Sequence, residues 1–304
     1  MKKVAILTAY KENFSFNKDI YKEASIVMKK VFLENNIDLV RVSLSQFNNE
    51  KNIFNEYIDI NNNWEIIVIK WDYKPDVIFN RIKVWNLYNN EILSSYTQVP
   101  SFKIIEIAKD KYEMSLFLKE LQPKTFLLST FYDEFEELSK QIWDKLVLKP
   151  VNWNSWDWIK FLSQSELLEQ KNNYKDFWKM FIIQEFKDFS KWYNELISWV
   201  HDVRLVYVWW NFSFSIVRQP AKWNLKSNIW AWWSQFSLPY ESIPTELFEL
   251  SKEAIKRLKT TKLDIFSIDF AFCKDENKWY ILEINCSPWV WFPESDREYQ
   301  IKYF

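Results

Sequence analysis

The sequence predicts a mixed α/β protein, and three features carry that prediction. Apolar runs of strand length recur along all 304 residues, separated by polar turns or by segments with helical spacing. Up to residue 104 the order is strand, helix, strand, which favours an α/β domain with a largely parallel sheet. Beyond it, neighbouring alternating runs are joined by short polar connections, the pattern of antiparallel hairpins.

The elements follow in order. KVAILTA (3–9) is a strand, and NKDIYKEASIVMKKVFLENN (17–36) is a helix with Ile20, Ala24, Val27 and Val31 on one face. DLVRVSL (38–44), EIIVIK (65–70) and PDVIFNRI (75–82) are strands. AKDKYEMSLFLKELQ (108–122) is one helix, KTFLLS (124–129) a strand, YDEFEELSKQI (132–142) a helix and DKLVLKP (144–150) a strand. SQSELLEQKNNY (163–174) is a helix. FIIQEF (181–186), VHDVRLVYV (200–208) and FSFSIVRQ (212–219) are strands, the last two antiparallel across a turn at 209–211. PTELFELSKEAIKRLKT (244–260) is a capped helix, and IFSIDFAF (265–272) and WYILEIN (279–285) close the set. No internal repeat or low-complexity linker interrupts it.

Composition narrows function. A net charge of -1 gives no global field for nucleic acid or an anionic membrane. No apolar run approaches a membrane span, and the apolar part of MKKVAILTAYKEN is too short and too soon broken for a secretory signal. Cys273 and Cys286 are the only cysteines, too few for a disulfide framework or a structural zinc site, and read as reduced thiols of a cytoplasmic protein. With His201 the only histidine, a Ser-His-Asp triad or a multi-histidine metal site has just that residue to build on.

One pair of numbers is abnormal: glycine is 0 and tryptophan is 19. At the usual frequency of about 7%, a chain of this length carries roughly 20 glycines. Tryptophan falls where glycine belongs, at Trp209-Trp210 in a hairpin turn, Trp232-Trp233 in NIWAWWSQ, Trp289 and Trp291 after a proline, Trp71 before DYKPD, and Trp192 in DFSKWYNE. The expectation is that most of these positions are glycine in the native chain, through a reassigned stop codon in an AT-rich gene. The abundance of Lys, Asn, Ile, Phe and Tyr fits such a gene. The alternative is an aromatic-rich protein whose loops carry real tryptophan as a binding surface.

Three polar residues sit where a strand would otherwise be apolar. Glu283 and Asn285 alternate and so share a face, and Asp269 lies within IFSIDFAF. Strand-end surface positions would explain them. A carboxylate inside an apolar strand, however, needs a partner, and three oxygen ligands beside phosphates are a usual way to hold Mg²⁺.

Read with glycine for tryptophan, VLKPVNWNSWDWI, WVHDVRLVYVWW, IVRQPAKWNLKSNIWAWW, SIDFAF and LEINCSPWVWFP form an ordered set. This set resembles the ATP-grasp family, in its glutathione synthetase and ribosomal-protein glutamate ligase branch, over roughly residues 105–295. The resemblance implies an α/β (α+β) ATP-grasp fold: an N-terminal domain (1–104), a small ATP-binding subdomain (105–186) and a C-terminal subdomain (187–304). It makes Lys149 and Lys111 phosphate-binding lysines. It makes 152–158, with Trp153, Asn154, Ser155 and Trp156, a phosphate loop whose backbone N–H groups close over the nucleotide. Gln184 and Glu185 fall where the family hinge meets adenine and ribose. Arg204 and Arg218 match arginines facing the transferred phosphate, a task suited to a bidentate guanidinium. Asn228 lies near the acceptor carboxylate, and Asp269, Glu283 and Asn285 become the metal ligands. A solvated surface lysine remains the competing reading for Lys111, and a structural role competes with a substrate contact for His201. Cys286 reads as a small buried apolar residue.

The implied reaction uses ATP and two Mg²⁺ ions, with Mn²⁺ as an allowed replacement. A small-molecule or peptide carboxylate attacks the γ-phosphate, and an amine then displaces phosphate from the acyl phosphate to give an amide. The chain's task is positioning and electrostatic stabilisation, with no protein nucleophile. A homodimer is a family expectation. Two other readings compete: a non-catalytic module binding sugars or single strands through real tryptophans, and a degenerate ATP-grasp protein. Release of ADP, tryptophan-dependent binding, or indifference to ATP separates the three.

Overall fold

Ala5, Ile6 and Leu7 are consecutive and all buried, so the first strand is covered on both faces, as the centre of a parallel sheet must be. The structure is a computed structural model. It describes residues 1–8, 19–80, 93, 95–142, 144–152, 159–173, 180–191, 193, 201–219, 234–258 and 264–286. The chain divides into two compact units, Met1–Phe102 and Lys103–Phe304.

The first unit runs β1 (Lys2–Thr8), α1 (Asp19–Glu34), β2 (Ile37–Ser43), the short pair β3 (Phe47–Asn48) and β4 (Ile53–Phe54), β5 (Tyr57–Ile60), β6 (Ile66–Ile69), β7 (Val77–Asn80) and β8 (Thr97–Val99). Its main sheet has the order β6-β5-β2-β1-β7-β8. Strands β2, β1, β7 and β8 are mutually parallel. The sheet is thus largely parallel, as expected; the exception is β5, not drawn from the sequence, which pairs antiparallel with both β2 and β6. Between β5 and β6 the cause is local: Asn61 Oδ1 accepts from the N–H groups of Asn63 and Glu65, folding 61–65 into a tight reversal. Buried Lys29 of α1 reaches Asp38 at 2.8 Å and Asp59 at 2.7 Å, tying the helix to the sheet through charge as well as apolar contact.

The second unit opens with α2 (Phe102–Lys109) and α3 (Lys111–Leu118). One helix was expected over 108–122. Asp110 breaks it by capping α3, its carboxylate accepting from Tyr112 N–H (2.8 Å) and Glu113 N–H (2.9 Å). There follow β9 (Thr125–Leu127), α4 (Leu128–Asp133), α5 (Phe135–Leu138), β10 (Lys145–Pro150), β11 (Lys160–Ser163), α6 (Gln164–Glu169) and β12 (Phe181–Glu185). The strand expected over 124–129 and the helix expected over 132–142 thus become one short strand and two short helices. Ser163 and Glu166 form a reciprocal capping box that starts α6. These strands make an antiparallel sheet, β11-β10-β12-β9.

The remaining elements are β13 (Asp202–Val208), β14 (Asn211–Gln219), β15 (Ser234–Phe236), α7 (Thr245–Leu258), β16 (Ile265–Cys273) and β17 (Lys278–Asn285). They build an antiparallel sheet ordered β15-β14-β13-β16-β17. Alternation sends Val203, Leu205, Phe266, Ile268, Phe270 and Ile284 into a core with Leu247, Ala254 and Leu258 of α7 and Met114 and Leu118 of α3. The intervening residues face the other way, and they include Asp202, Arg204, Ser267 and Asp269 beside a small apolar cluster of Val206, Phe214 and Ile216.

Two hairpin turns are unusual in their residues. Trp64, Trp209 and Trp210 have φ of 61°, 54° and 66°, in the left-handed region. For an L-residue with a Cβ that conformation costs about 1–2 kcal/mol each. Trp71 is exposed but not left-handed, whereas Trp279 is buried among Tyr193, Phe272 and His201. The expectations for Trp192, Trp232, Trp233, Trp289 and Trp291 lie outside the described residues.

Candidate active site

Strand register alone gathers the charged residues of the second unit. Asp202 and Arg204 are two apart on β13 and so project to one face. Asp202 stands opposite Arg218 of β14, and Arg204 opposite Asp269 of β16. Asp269 is in turn opposite Glu283, and Ser267 opposite Asn285. Opposite residues of antiparallel strands share a face, so one side of a four-strand span presents two arginines, three carboxylates and an amide. The β16–β17 register shifts between Asp269 and Phe270, the kind of bulge that re-aims a side chain.

These groups bond closely. Arg204 donates from Nε to Asp269 Oδ1 and from Nη2 to Oδ2, both at 2.7 Å. Arg218 forks onto Asp202, its Nη2 lying 2.7 Å from Oδ2 and its Nε bonded to Oδ1, and reaches Asp269 Oδ2 at 2.8 Å. Asn285 Nδ2 adds a bond to the same oxygen at 3.2 Å. Asp202, Arg204 and Asp269 are buried. Burial works to raise the Asp269 carboxyl, and the two guanidiniums overcome it, holding it below the usual carboxylate range. Two carboxylates against two guanidiniums leave the network formally neutral.

The lysines come from the other sheet. Lys149 ends β10, and its Nζ donates to Gln184 Oε1 at 2.7 Å, while Gln184 Nε2 donates to Thr125 Oγ1 at 2.9 Å. The Lys149 ammonium is pushed down to about 8, first by desolvation and then by the like charge of Lys111, with Glu283 opposing. Lys111 is brought there by α3: its backbone N–H bonds Val151 O at 3.1 Å, just past Lys149. The two lysines are thus neighbours, and the Glu283 carboxylate of the five-stranded sheet is within electrostatic reach of Lys149. Like charges held together in a partly dry place favour an anion.

The fit to a divalent cation is uneven. Glu283 has no hydrogen bond or ion pair among the described residues and is available to a cation, as is the Asn285 carbonyl oxygen. Asp269 is different, because both its oxygens accept from arginine. The guanidiniums compete with a metal for those oxygens, most of all for Oδ2, which accepts three bonds.

The other expected site residues divide. Gln184 holds Lys149 and leaves neither end of its amide unbonded. Glu185 is buried and paired with Lys187 at 3.0 Å, which also reaches Glu276 at 2.5 Å. Trp153, Asn154, Ser155, Trp156 and Asn228 lie outside the described residues. His201 is buried, its Nε2 accepting from Phe272 N–H at 3.3 Å, a fold contact. Cys286 is partly buried against the core of this unit. The sequence reading missed Asp202. The available signal was its spacing from Arg204, which puts it on the same strand face.

No protein-family model matches the sequence, and no curated protein does. Solved structures do match in fold. D-alanyl-alanine synthetase A from Vibrio cholerae aligns with a TM-score of 0.60 at 13% identity, covering 94% of this chain and 89% of its own. VanG D-Ala:D-Ser ligase from Enterococcus faecalis aligns at 0.61 and 13% identity, covering 94% and 90%. A RimK domain protein, ATP-grasp, from Sphaerobacter thermophilus aligns at 0.58 and 13% identity, covering 98% and 96%. At such identities the likeness is one of fold: the chain has the ATP-grasp fold.

Proposed function

We propose that this ATP-grasp chain is an ATP-dependent ligase that joins a small-molecule or peptide carboxylate to an amine through an acyl phosphate, releasing ADP. The observation that carries the reading is the convergence, on one sheet face, of Arg204, Arg218, Asp269, Glu283 and Asn285, with Lys149 of the neighbouring sheet in electrostatic reach of Glu283 and Lys111 of α3 beside that lysine. Such a site is rich in donors for phosphate oxygens. The solved ligases of like fold support the same reaction class.

In this reading the two sheets of the second unit form the two halves of a nucleotide clamp, with the loop 152–158 closing over the phosphates. Lys149 and Lys111 hold phosphate oxygens, and the Gln184 bond keeps the Lys149 amine aimed. Arg204 and Arg218 are parked on Asp269 and Asp202 until phosphate arrives. They then turn part of their donor set to the transferred phosphoryl group, where charge develops. That release exposes Asp269 oxygens beside Glu283 and Asn285, which would then hold Mg²⁺. Bound there, the metal would act as a Lewis acid that offsets negative charge on the phosphates. The remaining work is holding the carboxylate in line with the phosphorus and excluding water.

The test is an ADP-release screen over pairs of carboxylates and amines in the presence of Mg²⁺. The reading requires a pair for which release needs both partners and yields an amide. ATP turnover that ignores the amine would overturn it.

A further inference from the structure

Five tryptophans fall among the described residues, and three have left-handed backbone: Trp64, Trp209 and Trp210. Each closes a hairpin. Trp64 ends the turn between β5 and β6, its N–H donating to Asn61 O at 2.9 Å while Asn61 N–H donates to Glu65 O at 2.9 Å. A left-handed residue at the close of such a loop is the position that glycine fills in a bulged hairpin. Trp209 and Trp210 are the whole loop between β13 and β14, both with positive φ. That is the mirror-image two-residue turn, whose sequence preference is Asn-Gly or Gly-Gly.

Three of the other four left-handed residues are Asn36, Asn52 and Asn277, the side-chain type that tolerates this region. A bulky indole does not. Nor does burial compensate, since Trp64, Trp209 and Trp210 are 36%, 59% and 40% exposed. Lys30 Nζ lies 4.4 Å over the Trp64 ring. Trp279 shows the opposite case, a strand residue with its ring packed 4.9 Å from Tyr193 and 5.2 Å from Phe272.

From this geometry, together with 0 glycines and 19 tryptophans in the chain, we infer that the codon at Trp64, Trp209 and Trp210 is read as glycine in the source cell. The native polypeptide then has no side chain at these three turns. The inference is independent of the ligase reading, since it rests on backbone conformation in both units. It bears on that reading all the same, because positions 153, 156 and 158 carry the same residue type in the loop assigned to phosphate.

Peptide mass spectrometry of the protein isolated from its source cell tests this directly. The tryptic fragment 52–70 contains position 64 alone, and the fragment 205–218 contains 209 and 210. Glycine masses at all three positions are expected, and a tryptophan mass at any of them overturns the inference. A second measurement uses the chain made with ordinary decoding. Trp64→Gly, and Trp209→Gly with Trp210→Gly, should each raise the folded-to-unfolded ratio roughly fivefold or more. A fall in that ratio would overturn the claim that these turns are built for glycine.

Discussion

Asp202 is the buried partner of Arg218, and replacing it by asparagine isolates what the charge network contributes. The substitution keeps volume and one acceptor but removes a full negative charge from a group bonded twice to the Arg218 guanidinium. Deleting one partner of a buried pair typically costs about 3–5 kcal/mol, because the other charge is left uncompensated. Arg218 keeps its 2.8 Å bond to Asp269, so the lower end applies, about 3 kcal/mol. Urea unfolding of the wild type and of Asp202→Asn measures this. Adding Arg218→Gln to both backgrounds completes a cycle, with an expected coupling of about 1–3 kcal/mol. A loss under about 1 kcal/mol with no coupling would show that the network does not hold the arginine, and the parked-guanidinium argument would fail.

Further outcomes follow from the same geometry. On the proposed reading Lys149→Met removes one charge-assisted phosphate contact and should weaken ATP binding about 10- to 100-fold, read by titration calorimetry. Burial and Lys111 push the Lys149 ammonium down to about 8 in the free protein, and a phosphate bound beside it would raise that value. ATP binding should therefore take up protons near pH 8 and weaken as pH rises through that value, which calorimetry in buffers of different ionisation heat detects. Asp269, held below the usual range, keeps its charge to lower pH than a free carboxyl. The stability it contributes is present above the unfolded value of 3.8 and lost as pH falls through its lower folded value. Acid unfolding of the wild type against Asp269→Asn shows the difference. Asp110→Ala removes the cap of α3, costs about 1 kcal/mol, and loosens the helix start that carries Lys111.

Much of the fold was legible because alternation and helical spacing are local. Val203 and Leu205 against Asp202 and Arg204 declare both faces of β13, and the same holds for Asp269 inside IFSIDFAF. What escaped was set by single side chains or by distant pairing. Asp110 splits a helix that apolar spacing alone draws as one. The Asn61 turn joins β6 to β5, a short strand running against the rest of the sheet that spacing did not draw. Asp202 escaped because its meaning depends on Arg218 standing opposite, a register that sequence spacing does not contain. The bond from Lys149 to Gln184 also escaped, because it depends on Gln184 pairing with Val147 on β10, two residues before that lysine.

The central claim is that these residues form an ATP site, and calorimetric titration of MgATP into the chain decoded with glycine tests it most directly. The account predicts saturable binding that Lys149→Met weakens at least tenfold. No binding, or equal binding by both proteins, would contradict it.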